Sequence, residues 1–133
     1  MSTIEPIDPE VVLERLKCSL QGLAADSFTQ ITTIFPSLVV IADELALDFD
    51  NWFGVVIHNP AFIFTELQRS ALNAIDSKLD AMSALRNPDL WTEEALAKDE
   101  NWLVLRELAR EALSQFGWKA DPPPPSPDAY VGQ

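Results

Sequence analysis

The chain is poor in the residues that most chemistry uses. It has one cysteine, Cys18, and one histidine, His58. One cysteine cannot close an internal disulfide, which fits a reducing compartment. Neither residue has the local surroundings of a nucleophile–base pair. Cys18 reads as a small apolar residue at the edge of the core. His58 reads as a partly buried structural histidine just before a helix cap. Glycine is also scarce, with four isolated residues, so nothing resembles a glycine-rich phosphate loop.

Long apolar runs are missing as well. The longest uncharged stretch, Ser27 to Ala42, has 16 residues and carries Thr29, Gln30, Thr32, Thr33 and Pro36. A membrane span needs about 20 mostly apolar residues. Met1 to Pro9 holds no Lys or Arg and no apolar block, unlike a secretory signal. These features point to a cytoplasmic protein, or to one inside an assembly built there.

Positive charge is scarce too. The chain carries 9 basic and 21 acidic side chains, for a net charge of −12 and a pI near 4.2. Such a chain is repelled by bare nucleic acid and by anionic membrane surfaces. No Lys or Arg occurs between Lys17 and Arg69. That window holds Asp26, Asp43, Glu44, Asp48, Asp50 and Glu66, so it carries −6, half of the total.

What is present is the material of a globular domain. The length of 133 residues suits one domain, and 47% of residues are apolar. A chain of this size buries roughly two-thirds of its unfolded surface and needs no metal or disulfide to fold. The periodicity predicts an all-α fold, a compact bundle of four to five helices over residues 1–119. Residues 120–133 form an extended, Pro-rich C-terminal tail.

Asp8-Pro9 marks the first helix start, and Leu13, Leu16, Leu20 and Leu23 share its apolar face. Ser27 and Gln30 match a capping box. Phe28, Ile31, Phe35, Leu38, Ala42 and Leu45 follow at helical spacing to about Leu47. Pro36 and the β-branched run around it predict a kink or break, with a strand pair as the alternative. Asp48 to Asn59 reads as irregular, because Asp50, Asn51 and Gly54 are turn residues. Asn59-Pro60 starts the next helix, with Phe64, Leu67, Ala71, Ile75, Leu79 and Met82 on one face to about Leu85. Thr92 caps a short helical turn. The last helix runs from Asp99 to Gly117, with Leu105, Leu108, Ala109, Ala112 and Phe116 buried. Trp91, Trp102 and Trp118 flank helix ends, as core-edge residues do.

Metal chemistry finds little footing. Asp48-Phe49-Asp50-Asn51 opens like a calcium loop, but the sixth and twelfth positions hold Phe53 and Asn59 where glycine and glutamate are required. No Glu-x-x-His motif surrounds His58. No metal or cofactor is expected.

Asp43, Glu44, Asp48 and Asp50 lie beside Trp52 and Phe53, in the most aromatic part of the basic-free window. Charge steers partners together, and aromatic side chains anchor them. The prolines Pro122, Pro123, Pro124 and Pro125 offer a second, preformed docking element. The sequence therefore reads as a non-enzymatic acidic protein that docks on a basic protein partner. It would act as an inhibitor or immunity-type protein, or as an accessory subunit of a larger assembly such as a phage particle or enzyme complex. The alternative is a small metal-dependent hydrolase built on Glu44, Asp48 and Asp50, with Glu66. Convergence of these carboxylates in a pocket favours the enzyme; their spread over a convex face favours binding.

Overall fold

The computed structural model describes residues 8–34 and 40–122. Among them the chain forms α1 (Pro9–Ala24), α2 (Ser27–Thr29), α3 (Ile41–Ile57), α4 (Glu66–Ala84), α5 (Glu93–Lys98) and α6 (Glu100–Phe116), with no strand. The fold is all-α, as expected. The four long helices make the bundle; α2 and α5 are single turns that raise the count. Helix α6 is central and packs against both α1 and α4, while α1 also packs on α3.

Local chemistry explains most boundaries. The Asp8 side chain accepts a hydrogen bond from the Glu10 amide, and Pro9 occupies the first turn of α1. Thr92 and Asp99 cap α5 and α6 in the same way. Gly117 ends α6 with φ at 70°, a left-handed conformation that costs glycine nothing.

Three expectations are corrected. The Ser27–Gln30 capping box does not form. Asp26 is the cap, accepting from the Thr29 amide, and Gln30 starts a π-helical turn, Gln30–Ile34, with its side chain fully buried. Asp48 to Asn59 is not irregular, since α3 runs unbroken through it to Ile57. Phe49, Phe53 and Val56 fall on the face already set by Ala42 and Leu45 and are buried with them. That burial outweighs the roughly 1 kcal/mol cost of Gly54 in the helix interior.

The third correction concerns α4, which starts at Glu66 and not at Asn59-Pro60. Thr65 and Gln68 form a reciprocal capping box, with the Gln68 amide donating to Thr65 Oγ1 and the Thr65 amide donating to Gln68 Oε1. The chain before it turns at Asn59, so Phe62 and Phe64 stack with centroids 6.4 Å apart instead of lining a helix. The buried stripe is Leu72, Ile75, Leu79 and Met82, while Leu67 is exposed. Thr65→Ala is expected to cost about 1 kcal/mol, lowering the melting temperature by roughly 4 °C in a thermal melt.

Two expectations of burial also change. Phe28 is 74% exposed instead of joining a buried stripe. His58 is exposed at the C-terminus of α3. Pro36, with any kink or strand there, and Pro123 to Gln133 lie outside the described residues.

The end of α1 is unusually enclosed. Every residue from Ser19 to Ala25 is buried. The last carbonyls of a helix have no partner within it and must find one elsewhere. Gln30 Nε2 donates to the carbonyls of Gly22 (3.0 Å) and Leu23 (3.3 Å). Arg110 Nε donates to Ala24 (3.2 Å), and Arg106 Nε to Ala25 (2.7 Å). Arg106 Nη2 also reaches Gln30 Oε1 (3.2 Å) and the Leu96 carbonyl at the end of α5 (3.1 Å). One guanidinium thus ties α1, the π turn, α5 and α6 together. Burial pulls its pKa below the ordinary value, and Arg110 adds to this, while Asp26 and Glu107 oppose it. Two helix C-termini facing the cation offset part of the desolvation cost.

Candidate functional site

Four carboxylates of the basic-free window, Asp43, Glu44, Asp48 and Asp50, sit on α3, and the helix decides how they meet. Asp43, Leu47, Asp50 and Gly54 follow at spacings of four, three and four, which places them on one line. All four are exposed. This line is the outer ridge of α3, opposite the buried Ala42, Leu45, Phe49 and Phe53. Leu47, 59% exposed, gives it an apolar centre.

Glu44 and Asp48 lie on one flank of that ridge and are half-buried. That flank faces α1: the charge of Asp48 bears on Cys18. The Cys18 thiol is pushed up, chiefly by burial and then by Glu14, with Lys17 opposing and Asp48 adding. A thiol held protonated is the weaker nucleophile.

Asp50 points the other way, toward α4. Its charge bears on Asp76, whose carboxyl is pushed up by burial first, then by Asp80 and Asp50. The folded chain therefore holds this proton more readily than the unfolded chain does. The stability from Asp76 is present below the ordinary carboxylate range and is lost as pH rises through the raised value. Asp76→Asn is expected to raise the melting temperature at pH 7 in low salt. The gain should vanish near pH 3, where the wild-type carboxyl is protonated in both states, at about that pH or below. Melts at the two pH values check this.

The four acids thus diverge around a convex helix. Among the described residues, no group of three or more His, Cys, Asp or Glu side chains is placed to hold a metal ion. Glu66 stands in the first turn of α4, a different helix. Among the described residues, Glu44, Asp48, Asp50 and Glu66 form no such group.

The aromatic part of the expected site is corrected. Phe53 is 7% exposed and stacks on Phe49 at 5.3 Å, so it belongs to the core and offers no surface to a partner. Trp52 is half-buried and packs against the same core. Pro122 is described and exposed; Pro123, Pro124 and Pro125 lie outside the described residues. The exposed apolar residue of this face is Leu47, and it does not extend the buried stripe.

A second surface feature lies between α4 and α6, where Leu67, Ala71, Ala74 and Leu108 line a shallow groove. It carries one acid, Glu111, among its lining residues. No described helix is long and apolar enough to cross a membrane. Comparison with protein-family models, with curated proteins and with solved structures finds no match.

Proposed function

We propose that this is a non-enzymatic binding protein whose acidic α3 face docks on a basic surface of a protein partner. The observation that carries this reading is the ridge of Asp43, Leu47 and Asp50. It is convex, exposed and flanked by Glu44 and Asp48 on one side and Asp76 and Asp80 on the other. An apolar centre within a mostly acidic rim is an arrangement that steers and then holds a complementary surface. The protein acts by occupying that surface, as an inhibitor or as an accessory subunit. The cytoplasm, or an assembly made there, is the setting that fits its single cysteine.

The test compares two variants of equal net charge. One is Asp43→Lys with Asp50→Lys, on the ridge. The other is Glu93→Lys with Glu111→Lys, on α5 and α6. Asp43 and Glu93 both sit in a first helical turn, so the loss of helix-dipole stabilisation is matched. In affinity capture from the native cell, the ridge variant should lose the basic partner and the other should keep it. Equal loss in both would reduce the effect to global charge and refute the ridge. Inhibition of the captured partner's activity would assign the inhibitor role; unchanged activity would assign the subunit role.

A further inference from the structure

One side of the ridge opens into a cleft of about 390 Å³, lined by Asp43, Ala46, Leu47, Ser83 and Trp91. It lies where the start of α3 meets the end of α4 and the 3₁₀ turn Pro88–Trp91. Its chemistry is specific. There is one carboxylate, one indole and the apolar surface of Leu47 and Ala46, and no cation among these lining residues. Among the described residues Asp43 forms no ion pair.

The indole is held in place from behind. Trp91 packs edge-to-face with Trp102 at 5.7 Å and 89°. Trp102 is itself fixed, fully buried and donating its Nε1–H to the Leu90 carbonyl at 2.7 Å. Trp91 is half-buried, so part of its ring is open. A rigid, partly exposed indole beside a carboxylate is a receptor for a flat cation, because the ring's negative face attracts it.

We infer that the cleft takes an arginine side chain presented by the partner. The guanidinium pairs with Asp43 and lies against the Trp91 indole, and the methylene stem packs on Leu47 and Ala46. Arginine fits better than lysine because its planar group stacks on an aromatic ring and pairs with a carboxylate through two parallel hydrogen bonds. This inference rests on the acidic-face reading and adds the residue type that the face anchors.

The experiment uses the full ¹⁵N-labelled chain and three short probes, acetyl-Gly-Arg-Gly-amide and its lysine and citrulline counterparts. The readout is the Trp91 indole N–H resonance, assigned with Trp91→Phe. The arginine probe should shift it saturably, and the uncharged citrulline probe should not. Asp43→Asn should weaken arginine binding about fivefold, whereas Glu93→Gln should leave it unchanged. Equal shifts with citrulline, or no effect of Asp43→Asn, would overturn the cleft; lysine binding as tightly as arginine would overturn the stacking assignment. If the cleft fails while the Asp43/Asp50 reversal still abolishes capture, the acidic-face reading stands without it. If that reversal leaves capture intact, the acidic-face reading itself falls.

Discussion

Arg106→Ala should lose about 3–4 kcal/mol of stability, a large fraction of the total for a domain of this size. The side chain is 8% exposed and donates to three acceptors in three segments. Truncation leaves the Ala25 and Leu96 carbonyls and Gln30 Oε1 without this donor. Each buried acceptor left unpaired costs roughly 1–3 kcal/mol, and an empty volume adds to the loss. The melting temperature should fall by roughly 10–15 °C. Arg106→Lys should rescue little, since an ammonium lacks the fork that spans these acceptors. A coupling energy near zero between Arg106→Ala and Gln30→Ala in a double-mutant cycle would contradict the shared network.

The second large effect concerns recognition. Reversing Asp43 and Asp50 to lysine removes two negative charges and adds two positive ones on one exposed line. Association with a basic partner should slow by about 10- to 100-fold at low ionic strength. The difference should shrink as salt rises, because exposed charges are screened over about 8–10 Å at physiological ionic strength. Dissociation should change less. The same reversal relieves repulsion between Asp50 and Asp76, so the variant should not unfold for electrostatic reasons. Stopped-flow association across a salt series measures these rates.

Fold class and several helix caps were legible in the sequence because they depend on neighbours within four residues. Asp8-Pro9, Thr92, Asp99 and Gly117 all stand where local spacing puts them. Failures arose where a distant partner decided the outcome. Gln30 looked like a capping residue, but the buried end of α1 needs its amide. Asp50, Asn51 and Gly54 looked like a turn, but the core side of the same segment binds it into α3. The start of α4 is the exception, since the Thr65–Gln68 box is local, and Leu67 lies at the exposed edge of the stripe that buries Leu72.

The same reasoning applies to the site. The sequence shows the acids of the basic-free window, which need no fold to be seen. It could not assign the aromatics, because one residue of helical phase separates ridge from core. Phe53 falls inward and Leu47 outward. Arg106 falls between the buried Trp102 and Ala109 on the inner stripe of α6. A charged residue in such a stripe was the available signal. Trp91 and Asp43 lie almost fifty positions apart, so no local pattern could place them in one cleft.

The claim that α3 is the docking face is tested most directly by mapping the bound surface. The ¹⁵N-labelled chain is titrated with the basic protein it captures, and backbone shifts are followed residue by residue. The largest changes are expected at Asp43, Leu47, Asp50 and Gly54, with the Trp91 indole moving in step. Changes centred on Leu67, Ala74 and Leu108, with the α3 ridge unmoved, would contradict it.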